Sequence, residues 1–364
     1  MTAAWASPTD SSATIADLAV RPVVVPLARS WGSDVPAVTY LETTVTDSDG
    51  ATGTGFAWTP SIGAASVAAM LRHDVRAFAL GRGVDPVALW EPLWRHLHEA
   101  GSSGVTTIAM AGLDLALWDL AGRRADRPLA ALLGAPVAPS SPVYGSGVNL
   151  HVDLEALVEQ ARSWVDRGFP AVKIKVGSPD LARDLERVAA VREVVGDRPL
   201  MIDANQRWNL DRATAALDAL AAFDPAWIEE PLRADDLAGH VALAARTPVP
   251  IACGENLGTR HRFAEFARSG AVRTLQPNQV RIGGITPLAA IDAVCAEAGV
   301  DVALHLLPEL SAQVAPALRH PTPVEVVDGA ELAHLGVLAG PSPVRVAGGR
   351  VLHEPHAGLG IAFA

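Results

Sequence analysis

Between residues 143 and 327, short apolar runs alternate with longer stretches in which apolar residues recur at helical spacing. The short runs fall at 143–149, 171–176, 200–205, 227–230, 251–255, 274–278, 301–306 and 324–327. Each has the length of a buried strand and most of the gaps hold a helix of about a dozen residues, so the pattern predicts βα units around a parallel sheet. Eight such strands predict a barrel of the TIM type, whose chemistry gathers at the C-terminal ends of its strands. Lys175, Asp203, Glu229, Glu255, Asn278, His305 and Glu325 each fall at or near the end of a different consecutive run. A doubly wound open sheet would not bring these seven to one mouth.

The first third of the chain reads differently. Residues 19–47 alternate and are rich in Val, Thr and Tyr, with a break at Arg29-Ser30-Trp31-Gly32-Ser33 and a turn at Asp47-Ser48-Asp49-Gly50, which predicts a strand meander. Helical spacing follows at 64–79, 86–98 and 105–122, the last apolar on nearly every side and therefore expected to be buried. Ala135-Pro136-Val137-Ala138-Pro139-Ser140-Ser141-Pro142 carries three prolines, which neither a helix nor a central strand tolerates well. The expected organisation is an α+β unit over residues 1–135, with 1–15 disordered, and a barrel over 143–330. A segment at 331–364 passes Pro341, Pro343 and Ala347-Gly348-Gly349-Arg350 and is expected to rejoin the first unit.

Composition narrows the function. With 49% hydrophobic residues, 19% charged residues and a net charge of −11, the 364-residue chain is too apolar to be disordered. The absence of a Lys/Arg cluster argues against nucleic acid or anionic lipid as a partner. Two cysteines make no disulfide framework, no run approaches the roughly 18 consecutive apolar residues of a membrane span, and the first twelve residues lack a basic start. These features predict a cytoplasmic enzyme.

Asp203, Glu229 and Glu255 are spaced twenty-six residues apart, one βα unit each, and so should stand side by side on neighbouring strands. Three hard oxygen ligands suit Mg²⁺, with Mn²⁺ as a substitute, better than Zn²⁺. Glu230 follows a ligand on the opposite face of the pleat and is expected to support the site rather than bind metal. Lys173 and Lys175 share the face that looks into the barrel, and their repulsion is expected to lower the pKa of one toward the working pH. His305 closes the seventh strand opposite them.

Lys173-Ile174-Lys175, Asp203-Ala204-Asn205-Gln206-Arg207-Trp208, Trp227-Ile228-Glu229-Glu230-Pro231, Gly254-Glu255, Gln279-Val280-Arg281-Ile282-Gly283-Gly284 and His305 together resemble the enolase superfamily. Within it they are most similar to the mandelate racemase / muconate lactonizing enzyme family and its acid-sugar dehydratase branch. Ala116-Leu117-Trp118-Asp119-Leu120 with Pro128-Leu129-Ala130-Ala131-Leu132-Leu133-Gly134 is similar to the helix that ends that family's capping domain. The resemblance implies a modified (β/α)₇β barrel with an α+β capping domain completed by the C-terminal segment. It implies two loops, near 27–35 and 52–58, that close over the substrate, so that Gly53-Thr54-Gly55 is a lid element.

The resemblance further implies Lys175 as one base, His305 as base or acid on the other face, and Lys173 as a contact to the substrate carboxylate. Glu325 matches a hydrogen-bonding glutamate, with Pro308, Pro316, Pro321 and Pro323 as the threat to its register; Asn205, Asn278 and Trp31 complete the substrate contacts. Where the branch usually has an aspartate orienting the histidine, this chain has Asn278, which is expected to accept a hydrogen bond from the imidazole without lending it charge. That disfavours a two-base racemase and favours dehydration of an aldonate or aldarate to a 2-keto-3-deoxy acid. The alternatives are a racemase or epimerase, a cycloisomerase, and a metal-binding barrel without catalysis. The expected partner is a small carboxylate substrate, and the expected assembly a homo-oligomer.

Overall fold

The computed structural model describes residues 4–31, 35–60, 62–135, 140–320, 322–354 and 356–364. Part of the first expected closing loop (32–34), part of the proline-rich connector (136–139) and Pro321 lie outside the described residues.

Three antiparallel strands, β1 (Ile15–Trp31), β2 (Val35–Asp47) and β3 (Thr52–Thr59), pair in that order. The β2–β3 turn is held by Asp47 Oδ1, which accepts from the amides of Asp49 and Ala51 at 3.0 and 2.9 Å. Its Gly50 has φ 85°, a backbone that costs glycine little. The helical run that follows comprises Ala64–Met70, a π-turn at Leu71–Val75 and Arg76–Ala79; Pro86–Leu97 and Val105–Ala125 come next.

Val105–Ala125 lies directly on β3. A Cβ at Gly53 would fall within the backbone of Ala116 and Leu120, and one at Gly55 within that of Ala116 and Gly112. These glycines let a buried helix reach a buried strand. This corrects the expectation that Gly53-Thr54-Gly55 is a lid; the segment lies in the first half of strand β3, and among the described residues Trp58 and Pro60 beyond it line the cavity at the barrel mouth. Val105–Ala125 is also long and apolar enough to cross a membrane by length and composition, although no consecutive apolar run announced it, and 94% of its apolar window is buried inside the protein.

Among the described residues, eight parallel strands form the barrel: β4 (Ser140–Ser146), β5 (Val172–Lys175), β6 (Leu200–Asp203), β7 (Ile228–Glu229), β8 (Ile251–Cys253), β9 (Thr274–Leu275), β10 (Asp301–Val302) and β11 (Val324–Val327). They pair in sequence from β4 to β10, β11 pairs with β4, and a bridge between Leu304 and Val324 closes the ring. Five of the helices between them begin on a side-chain cap, from Asp153, Asp180, Asn209, Asp236 and Thr259. Each cap ends the loop that leaves a strand, so the short loops bearing polar side chains are anchored at both ends.

Two departures concern the chain ends. Residues 4–14 are placed against the body, with Trp5 Nε1 donating to Ile285 O at 3.0 Å, in contrast to a disordered start. The C-terminal segment does not return wholly to the first unit. Its hairpin of β12 (Val344–Ala347) and β13 (Arg350–His353) adds antiparallel to the start of β4. The last residues alone reach the three-stranded sheet, where the Phe363 ring packs 5.5 Å from both Tyr40 and Phe56.

The two layers are locked where Asp114 on the buried helix accepts from the amides of Ile285 and Thr286 at 2.6 and 3.1 Å and from the Thr286 hydroxyl at 2.5 Å. Burial raises the Asp114 carboxyl to about 7 against those bonds. Trp118 Nε1 donates to Thr286 Oγ1 at 3.0 Å and Trp90 Nε1 to Gly283 O at 2.8 Å. The segment after β9, which carries Asn278 and Arg281, is thereby fixed from outside the barrel.

Gly55→Ala should therefore destabilise the protein by about 1–3 kcal/mol or more through overpacking, read by urea unfolding. Gly83→Ala, where no atom approaches, should leave the midpoint unchanged.

Candidate active site

Asp203 and Glu229 are the last residues of β6 and β7 and face each other in parallel register. Glu255 stands two residues beyond the end of β8. One ligand oxygen from each lies within 4.8 Å of the other two. Asp203 and Glu229 are fully buried. Glu229 Oε2 accepts from Lys173 Nζ at 2.7 Å and from Gln276 Nε2 at 2.6 Å, while Glu229 Oε1 is buried with no partner. An unpartnered buried oxygen on one member of a three-carboxylate cluster is what a divalent cation satisfies, and an all-oxygen donor set fits Mg²⁺. Burial raises the Glu229 carboxyl to about 7, with Lys173 opposing and Asp203 adding to the rise.

Supporting groups surround the cluster. Glu230, in a left-handed backbone with φ 39°, accepts from Gln206 Nε2 and Asn256 Nδ2 at 3.0 Å. Gln276 and Asn256 were not singled out as site residues. Gln276 stands two positions before Asn278, and Asn256 directly follows Glu255; period-two spacing from a known site residue is the signal that points to the first.

The lysines depart from expectation. Lys173 is 1% exposed, bonds Glu229 and Glu325 at 2.7 Å each, and is absent from the cavity lining. Lys175 pairs with Asp203 and does line the cavity. Burial lowers both pKa values, yet the facing carboxylates outweigh it, Glu229 and Glu325 for Lys173 and Asp203 for Lys175, so both are held above the usual lysine range. Lysine–lysine repulsion is real but smaller than the pull of the acids, which corrects the expectation that one lysine is depressed.

His305 and Asn278 meet as expected, with Asn278 Nδ2 2.9 Å from His305 Nδ1, but the polarity is reversed. Asn278 Oδ1 is taken by the backbone amides of Val280 and Arg281 at 3.0 and 3.3 Å, so the amide nitrogen faces the ring and donates to it. On the other side, His305 Nε2 lies 2.7 Å from Glu255 Oε2 and 3.9 Å from Glu325 Oε2. Burial disfavours the charged ring and Glu255 favours it, with a net rise. The register of Glu325 survives its prolines: Pro308 opens a helix and Glu325 stays opposite Tyr144, its Oε2 accepting from Leu306 N at 3.1 Å.

Lys175, Asn205, Glu255, Asn278, His305 and Glu325 line one cavity of about 330 Å³. Trp31 and Trp58, in edge contact at 6.2 Å between ring centroids, contribute from the three-stranded sheet. Arg207 and Arg281 also line it, and among the described residues neither side chain pairs with a carboxylate. Both lie inside motifs already noted, but spacing alone does not say that they face the mouth.

A capped (β/α)₇β barrel with three carboxylates on successive strand ends defines an enolase-type enzyme. Residues 14–134 match the mandelate racemase / muconate lactonizing enzyme N-terminal domain and residues 156–364 the enolase C-terminal domain-like family, and the chain belongs to this family. It is 40% identical to a 3,6-anhydro-alpha-L-galactonate cycloisomerase of Streptomyces coelicolor over 77% of this chain and 78% of that one. Its fold superposes on a Streptomyces coelicolor racemase solved with bound magnesium, with a TM-score of 0.89 and 34% identity over 96% of this chain and 97% of that one. An L-talarate dehydratase of Polaromonas sp. JS666, solved with Mg and L-glucarate, gives 0.86 and 33% over 97% and 96%.

Glu229→Gln should weaken Mg²⁺ binding at least about tenfold, the scale on which even supporting groups act at metal sites. Equilibrium dialysis reads this, and undiminished affinity would remove Glu229 from the site.

Proposed function

We propose that this chain is a Mg²⁺-dependent enzyme that removes the proton beside the carboxylate of a sugar acid, and that it dehydrates an aldonate or aldarate to a 2-keto-3-deoxy acid. The observation that carries this reading is the cluster of Asp203, Glu229 and Glu255, whose ligand oxygens lie within 4.8 Å of one another and in which one buried Glu229 oxygen has no partner, beside a cavity that Lys175 lines. The talarate dehydratase, solved with Mg and an acid sugar, supports the same substrate class.

Asp203, Glu229 and Glu255 are the residues that hold the ion, and Mg²⁺ there supplies positive charge that offsets the negative charge developing on the substrate carboxylate as the α proton leaves. Lys175 takes that proton on Nζ as the neutral amine, after releasing its own proton to solvent through the cavity that it lines. Arg207, Arg281, Asn205 and Asn256 offer donors to hydroxyl and carboxylate groups, and Trp31 with Trp58 keeps water from one side. Loss of the β-hydroxyl as water, with the proton that Lys175 had taken, leaves an enol that tautomerises to the 2-keto acid. Lys173, buried between Glu229 and Glu325, holds these acids in place.

The 40% identity to a cycloisomerase favours one second reading, in which the group leaving the β carbon is a ring oxygen of the same molecule rather than hydroxide. Proton removal by Lys175 is common to both. Assembly into a homo-oligomer in the cytoplasm is part of the proposal.

Incubating aldonic and aldaric acids with enzyme and Mg²⁺ should yield a 2-keto acid from at least one, detected as its hydrazone. On that substrate Lys175→Met should lower the rate by about 10²- to 10⁴-fold or more. Near-wild-type turnover by the variant would contradict the assignment of the base.

A further inference from the structure

The reversed polarity at Asn278 reaches beyond orientation. We infer that Asn278 is a positioning residue that confines the neutral His305 ring to the form with its proton on Nε2, so that His305 offers the cavity an N–H donor and no basic nitrogen.

The side-chain amide cannot turn over. Its Oδ1 accepts from two backbone amides, Val280 N and Arg281 N, in the turn that leaves β9. Rotation would place the NH₂ group against both of these donors, leaving buried donors unpaired. The turn is itself fixed by the bonds from Asp114 to Ile285 and Thr286. Asn278 Nδ2 therefore remains the atom facing His305 Nδ1 at 2.9 Å, and an amide nitrogen only donates. Nδ1 must accept, and the single ring proton resides on Nε2. His305 lines the cavity, with Nε2 on the carboxylate side of the ring, 2.7 Å from Glu255 Oε2.

An aspartate at position 278 would accept from Nδ1–H and leave Nε2 with a free lone pair, the form that removes protons. Asparagine inverts this. Resting on the carbon-acid reading of the site, the consequence is that proton removal and return occur on the Lys175 side alone, while His305 contributes a hydrogen bond to substrate oxygen. Inversion at the α carbon through two opposed bases is then closed to this chain.

The test is a long-range ¹H–¹⁵N correlation spectrum of the whole protein labelled with ¹⁵N-histidine and loaded with Mg²⁺, at a pH where the ring carries one proton. His305→Gln identifies the His305 signals by their loss. Wild type should show an unprotonated Nδ1 and a protonated Nε2. Asn278→Asp should move the proton to Nδ1, and Asn278→Ala, which removes the donor without adding an acceptor, should give a mixture of the two forms. A wild-type ring protonated on Nδ1, or an Asn278→Asp ring unchanged from wild type, would overturn the inference. No substrate enters this experiment, so its failure is separable from a failure of the keto-acid screen.

Discussion

Too much negative charge is gathered at one largely buried end of the barrel. Asp203, Glu229, Glu255, Glu325 and Glu230 converge there, faced by Lys173 and Lys175, and moving an ion out of water costs several kcal/mol even after the protein relaxes. Lys173 is spent between Glu229 and Glu325, and Lys175 on Asp203. One oxygen of Glu229 still has no partner. The surrounding amides, Gln206, Asn256 and Gln276, donate to the remaining lone pairs but bring no charge. A divalent cation closes this imbalance, and the same charge at the same place is what a weakly acidic C–H beside a carboxylate needs in order to ionise.

The rest of the molecule holds this cluster in register. Parallel pairing sets Asp203 level with Glu229 and Lys175 level with Asp203, so a slip of one residue would turn each acid out of the barrel. The first unit contributes twice: its sheet delivers Trp31 and Trp58 to the cavity, and its buried helix fixes the segment after β9 through Asp114. Glycines at 53 and 55 make that close packing available. Stability of the first unit and geometry of the site are thus coupled through one helix.

Much of this was legible in the chain. Short apolar runs separated by helical stretches located all eight barrel strands, and equal spacing brought the three acids together, because a barrel repeats one unit per strand. What was not legible depended on partners far away in sequence. Gly53-Thr54-Gly55 looks like a loop until Ala116 and Gly112 are seen against it. Two lysines on one face read as mutual repulsion until the acids of three other strands are counted. The direction of the Asn278 hydrogen bond was set by backbone amides two and three residues on, a turn geometry that residue type alone does not specify. Hence the arginines at 207 and 281 also escaped assignment: motif membership does not tell which way a long side chain points.

Exchange of the α hydrogen with solvent probes the central claim most directly, since proton abstraction precedes every outcome the site allows. In D₂O, proton NMR of aldonic and aldaric acids with enzyme should show Mg²⁺-dependent loss of the α-hydrogen signal or its conversion to a deuterated 2-keto product for at least one acid, and none without the metal. Tight Mg²⁺ binding with no exchange and no product across the series would contradict the account and leave a metal-binding barrel without carbon-acid chemistry.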